Sequence, residues 1–216
     1  MSWKTKGINM KKIIFATGNE GKMKEVRMIL ADLNFQVLSL KEMDIDIDIV
    51  EDGETFEENA IIKAKTIMEL TNEIVLADDS GLEVDYMNKA PGIYSARFMG
   101  EDTSYHIKNG HIIKELEQAT DEERSARFVC AIACAYPDGT IETTRATIEG
   151  YIGYEEKGEN GFGYDPIFMV PEYKCSSAEL TPEQKNEISH RGKALRAMKD
   201  KIRNKGVGCN EDTNCQ

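Results

Sequence analysis

The sequence predicts an α/β protein, a β-sheet with helical cover. Three observations predict it. A short apolar run at residues 13–16, a turn, an amphipathic helix and a second strand read as a βαβ unit. A capped helix leads into another short apolar strand at residues 74–77. Two long strand patterns, 126–136 and 141–151, meet at Pro137-Asp138-Gly139 as a hairpin.

Each element rests on local chemistry. Thr17-Gly18-Asn19 forms the first turn, and Val26, Ile29, Leu30 and Leu33 give residues 22–33 one apolar helical face. Residues 35–40 follow as a strand. Acid and isoleucine alternate over 44–50, the period of a half-buried strand or extended edge. Thr55 and Glu58 make a capping box that opens a helix to about Leu70. Asp78-Asp79-Ser80-Gly81 is expected to follow the strand 74–77, at its carboxyl end. Pro91-Gly92 marks a turn, and 104–118 is helical by pattern although Asn109-Gly110 weakens its middle. Residues 158–163 form a glycine-rich loop. Thr181, Pro182 and Gln184 open a further helical turn, and Ile188, Leu195, Met198 and Ile202 line one face of a last helix. Cys130 and Cys134 fall on the same, core-facing side of their strand. Residues 1–11 read as an extension, with Met10 an alternative start. Residues 12–203 read as one domain and 204–216 as a polar tail. No internal repeat or interdomain linker breaks the pattern.

Composition excludes several functions. With 27 Lys and Arg against 39 Asp and Glu, the net charge is −12, which argues against a non-specific nucleic-acid binder. No apolar run reaches the roughly 20 residues that span a bilayer, and 13–16 is too short for a signal-peptide core, so a cytoplasmic address is expected. Five cysteines without CxxC spacing and three histidines argue against a disulfide framework or a zinc site. Any metal here is expected on carboxylates, which favours a hard cation such as Mg²⁺.

Five segments could carry chemistry. Thr17-Gly18-Asn19-Glu20-Gly21-Lys22 joins a strand to a helix N-terminus that offers free N–H groups to phosphate. It is not a Walker A loop, because Ala16 and Met23 stand where Gly and Ser or Thr are required. Alone it is equally an ordinary turn with a solvated lysine. The adjacent carboxylates of Asp78 and Asp79 are costly unless paired, hydrated or bound to a cation, and one could take a proton from water. Alone they are also a common polar turn. Residues 42–58 hold nine carboxylates, mostly a solvated face, of which one or two could complete a metal shell. In Gly161-Phe162-Gly163-Tyr164-Asp165-Pro166 a ring could stack on a base, or the segment is a rigid turn. Ser189-His190-Arg191-Gly192-Lys193, with Lys185, is the densest basic patch, at a helix start that Ser189 can cap.

Together the segments TGNEGK (17–22), TFEENAIIKA (55–64), ADDSGLEV (77–84), APGIYSAR (90–97), GFGYDPIF (161–168) and AELTPEQKNEISHRGKAL (178–195) resemble the inosine triphosphatase, or Ham1-like, family of pyrophosphatases. The likeness spans residues 12–202. It implies an elongated α/β fold of two lobes around a long mixed sheet, with the site in the cleft between them, and a homodimer. It implies hydrolysis of ITP, dITP and XTP to monophosphate and pyrophosphate. On that pattern Thr17, Gly18, Asn19, Glu20, Gly21 and Lys22 would hold the triphosphate. Glu51 and Asp79 would bind Mg²⁺ with Asp78 beside them, and Asp79 would be the general base. Ser80 would touch substrate. Phe162, Gly163, Tyr164, Asp165, Lys185, His190 and Arg191 would surround the base, with Lys63 and Arg97 as further phosphate or base contacts. A Maf-like pyrophosphatase acting on pyrimidine nucleotides, and a nucleotide sensor without turnover, are the competing readings.

Overall fold

The computed structural model describes residues 11–206. Met10, and Cys209 and Cys215 of the five cysteines, lie outside them. Seven strands form one sheet in the order β2-β1-β3-β4-β5-β6-β7. They are β1 (Lys11–Phe15), β2 (Phe35–Ser39), β3 (Ile74–Val84), β4 (Ser125–Ala135), β5 (Ile141–Ile152), β6 (Phe168–Val170) and β7 (Cys175–Ser176). β1 pairs in parallel with both β2 and β3, and every later pairing is antiparallel. The helices are α1 (Glu20–Leu30), α2 (Phe56–Thr71), α3 (Tyr105–Glu115), α4 (Pro182–Ile188) and α5 (His190–Asn204).

Three apolar clusters account for this arrangement. α1 and α5 close over one face of β1, β3 and β4, through Met23, Val26, Leu195 and Met198 against Phe15, Leu76 and Cys130. α2 covers the opposite face through Ala60, Ala64 and Ile67 against Val75, Ala77 and Ala131. The third cluster gathers the far ends of the same long strands, Leu82, Val84, Ala126 and Phe128, with Ile112 of α3 and Phe168 of β6. Strands of 11 and 12 residues therefore run from one core region into another. Leu195, Met198 and Ile202 on α5 are fully buried, worth about 5–9 kcal/mol together in transfer terms.

Capping follows the local code. Asn19 caps α1, Thr55 and Glu58 form the box at α2, and Thr181 with Gln184 does the same at α4. Ser189 accepts from the Gly192 N–H at the start of α5. Two buried cations stitch the far core region. Arg124 donates to the carbonyls of Leu116, Ile152 and Gly153 at 2.7–2.8 Å, and Lys108 to that of Ala96 at 2.7 Å.

Three expectations need correction. Residues 44–50 form no strand; Ile45 and Ile49 pack on the α2 core from a loop, so the alternation reports one-sided burial without ladder bonds. β3 does not stop at Ala77, and the Asp78–Gly81 segment lies inside an 11-residue strand paired with residues 129–132 of β4. Ile188 belongs to α4, not to the last helix. Cys130 and Cys134 do share one core face.

β6 meets β5 only at Tyr151 and Ile152. The rest of that β5 edge has no strand partner among the described residues. There Lys193 and Lys201 of α5 reach the carbonyls of Thr147 and Thr143, at 3.5 and 3.1 Å.

Candidate active site

The site begins where β1 ends. β1 runs beside β3 only as far as Phe15 opposite Leu76, with one more bond from the Ala16 N–H to the Leu76 carbonyl. β3 continues, so residues 78–81 pass a notch at the carboxyl end of a parallel strand, the usual place for ligands in α/β sheets. The N-terminus of α1 opens on the same notch. A cleft of about 770 Å³ fills it, within the range of small-molecule sites. Thr17, Gly18, Asn19, Gly21 and Lys22 line one wall, and Glu20 stands outside it. Residues 160–165 form the opposite wall, and Lys185, His190 and Arg191 also face in.

Alternation along β3 separates the two aspartates. Asp78 points toward α1 and α5. Its carboxylate is almost fully buried and meets Lys22 Nζ at 2.9 Å and Arg191 Nε at 3.2 Å. Burial alone would push this carboxyl up, but Lys22, Arg191 and Lys63 pull it well below the usual carboxylate range. Arg191 also donates to Glu25 Oε2 and Ser80 Oγ, both at 3.2 Å. It is buried rather than part of a surface basic patch.

Asp79 points the other way, toward α2. Asn59 Nδ2 donates to it at 3.1 Å, and Lys63 Nζ stands 3.8 Å from its other oxygen and 2.9 Å from Glu51 Oε2. Burial raises the Asp79 carboxyl, and Lys63 does not cancel that effect. The Asp78 oxygens are taken up across the sheet, so the structure does not place Asp78 beside Glu51 and Asp79. Lys63 belongs with these acids, and none of Glu51, Lys63 and Asp79 lines the cleft. Arg97 lies over Tyr94 and reaches the Glu51 carbonyl at 3.4 Å, also outside the lining.

On the far wall, Phe162 is 57% exposed, free to stack on a planar ligand, with Lys185 Nζ 5.5 Å from its ring centroid. Asp165 accepts from Lys185, Ser177 and the Phe162 N–H, which fixes the loop. Tyr164 is buried and donates its phenol proton to the Ser95 carbonyl at 2.7 Å, so it braces the wall instead of offering a free face. His190 stacks nearly parallel on Phe128, centroids 5.1 Å apart. Burial, with Arg191 and Lys185 nearby, holds its pKa well below the ordinary histidine value, so the ring is neutral at pH 7.

Sequence reasoning missed Glu25, Asn59 and Phe128. Glu25 and Asn59 had a signal: Glu25 stands one turn beyond Lys22, and Asn59 one turn before Lys63, on the apolar face of α2. Phe128 had none, since an aromatic in a strand ordinarily reads as core.

Two carboxylates held on one ammonium are the donor set a hard divalent cation would take up. Among the described residues no group of three or more His, Cys, Asp or Glu could hold a metal. Two carboxylates suit Mg²⁺, which keeps waters and substrate oxygens in its shell.

This sheet order, with Lys22, Lys185 and Arg191 lining a cleft on one side of β3 and Glu51 and Asp79 held on Lys63 at the other, defines an α/β protein with a cation-lined cleft. The chain belongs to the Ham1 family, whose profile matches residues 13–201. It is 48% identical over 200 residues to the dITP/XTP pyrophosphatase of Clostridium perfringens, covering 90% of this chain and 98% of that one. To the enzyme of the same name from Desulforamulus reducens it is 51% identical over 185 residues, covering 86% and 92%. Among solved structures, the Ham1 protein of Staphylococcus aureus superposes with a TM-score of 0.84 at 40% identity, covering 90% of this chain and all of that one. No described helix is long and apolar enough to cross a membrane.

Proposed function

We propose that this protein hydrolyses ITP, dITP and XTP to the nucleoside monophosphate and pyrophosphate, removing non-standard purine nucleotides from the pool. One observation carries the reading. The cleft beside β3 is lined by Lys22, Lys185 and Arg191, and the acids Glu51 and Asp79 meet on Lys63 at the other face of the same strand, one residue before the cleft-lining Ser80.

The triphosphate lies at the N-terminus of α1, where the loop 17–21 supplies N–H groups and Lys22 a charge. Asp79 takes a proton from water as its oxygen attacks the α-phosphorus, and the bond to the bridging oxygen breaks with pyrophosphate leaving. A carboxyl raised by burial is the better base. Bound to Glu51 and Asp79, Mg²⁺ would neutralise charge on the phosphates. The base stacks on Phe162. Lys185 and Arg191 offer N–H donors to a 6-oxo group, whereas the 6-amino group of adenine would set donor against donor. The same reading makes the protein a cytoplasmic homodimer with no nucleic-acid partner, the last in keeping with its charge of −12.

The test is a product assay. Purified protein with Mg²⁺ is given ITP, dITP, XTP, ATP, GTP and dTTP in parallel, and pyrophosphate and orthophosphate are measured separately. Pyrophosphate mainly from the first three is expected. Release chiefly from dTTP, or of orthophosphate, would overturn the reading.

A further inference from the structure

We infer that Asn59 is a positioning residue, which holds the Asp79 carboxylate and the loop carrying Glu51 in one fixed geometry. The inference rests on the proposed role of those two acids. Asn59 is fully buried, on the face of α2 that otherwise carries Ala60, Ala64 and Ile67. A polar side chain there is costly unless both ends of its amide are used. Both are: Nδ2 donates to Asp79 Oδ2 at 3.1 Å, and Oδ1 accepts from the Gly53 N–H at 2.9 Å. One amide thus ties a strand residue to a loop residue two positions from Glu51.

Neighbouring contacts make the bracket rigid. The N–H groups of Glu54 and Thr55 both donate to Glu58, so the loop is fastened to the helix start next to Asn59. A Cβ at position 53 would stand 2.8 Å from Asn59 Oδ1 and 2.7 Å from Glu58 Cβ, so only glycine lets the loop come this close. Four residues on, Lys63 repeats the pattern, meeting Asp79 on one side and Glu51 on the other. Asn59 and Lys63 grip the same two segments one helical turn apart. Lys63 supplies charge, which a bound cation would compete with. Asn59 carries none, so its grip on Asp79 persists when a cation arrives. Supporting hydrogen bonds of this kind typically change metal affinity or activity by about 10–100-fold when removed.

The experiment uses Asn59→Leu, which matches the shape without a donor or acceptor, and Asn59→Ser, which is smaller. Direct Mn²⁺ binding is followed by electron paramagnetic resonance, together with the Mg²⁺ dependence of pyrophosphate release. Mn²⁺ binding weakened about tenfold or more, with a matching rise in half-saturating Mg²⁺, is expected. The KM for ITP at saturating Mg²⁺ should stay within about twofold, because Asn59 does not line the cleft. Wild-type Mn²⁺ affinity in a cooperatively melting variant would overturn the inference. So would failure of both variants to fold, which would make Asn59 a purely structural residue. Absence of Mg²⁺-dependent pyrophosphate release from the wild type would instead overturn the proposed function, a separate result.

Discussion

Replacing Asp78 by asparagine tests the division of labour across β3. The Asp78 carboxylate is 1% exposed and answers two cations, Lys22 at 2.9 Å and Arg191 at 3.2 Å. The amide keeps the shape and removes the charge. Arg191, 8% exposed, is then left with Glu25 alone. Breaking a buried ion pair on one side costs about 3–5 kcal/mol. For a domain of this size each kcal/mol is worth about 2–4 °C, so Tm should fall by roughly 6–20 °C. The pH dependence follows from the depressed carboxyl. Its folded value lies below its unfolded value, so its stabilisation is complete above the unfolded value and lost as pH falls toward the folded one. The gap between wild type and variant should therefore be full at pH 6–8 and shrink below about pH 4. Thermal scans and urea unfolding by far-UV circular dichroism measure both. A Tm within about 2 °C of wild type at pH 7 would refute the reasoning. A rise in half-saturating Mg²⁺ as large as that of an Asp79 variant would refute the separation of the two aspartates.

Three further outcomes are expected. Asp79→Asn should cut turnover by about 100-fold or more. Without metal it should also raise Tm at pH 7, because a carboxyl raised by burial costs stability when ionised, and the gain should fade as pH falls below the folded value; wild-type turnover with saturating Mg²⁺ would remove Asp79 from the chemistry. The half-buried neutral His190 should make the wild type lose stability as pH falls below about 6.5, by up to about 1.4 kcal/mol per pH unit, while His190→Gln flattens that slope; equal slopes in urea titrations would contradict a neutral ring in the folded protein. Gly81→Ala should cost about 1–3 kcal/mol, since its Cβ would sit 2.4 Å from the Gly92 carbonyl and Ser95 Oγ. It should also raise KM by displacing Ser95 and Ala96 of the cleft, and unchanged Tm and KM would show the segment gives way freely.

What the sequence made legible was local. The Thr55–Glu58 box, the Asn19 cap and the amphipathic faces of α1 and α5 are each written within a few residues, and the structure repeats them. The length of β3 was not legible, because Asp78-Asp79-Ser80-Gly81 reads as a turn until its partners are known. Those partners are 56 and 113 residues away for Asp78, and 20 for the Asn59 contact of Asp79. The alternation at 44–50 misled for the opposite reason: period-2 burial is necessary for a half-covered strand but does not supply a neighbour to bond. The family motifs include most of the segments that line the cleft. They did not reveal that Tyr164 spends its phenol on Ser95, or that Asn59 sits beneath the acids.

The lysines over the free edge of β5 bear on how copies of this protein meet. An unpaired strand edge is a template on which another chain can add a strand, and long flat edges invite aggregation. On β5 the carbonyls of Thr143 and Thr147 already face ammonium groups carried by α5. An approaching strand would have to displace two lysines that also repel any basic newcomer. The helix that delivers Arg191 to the cleft thus also occupies this stretch of the β5 edge, where an added strand would have to pair.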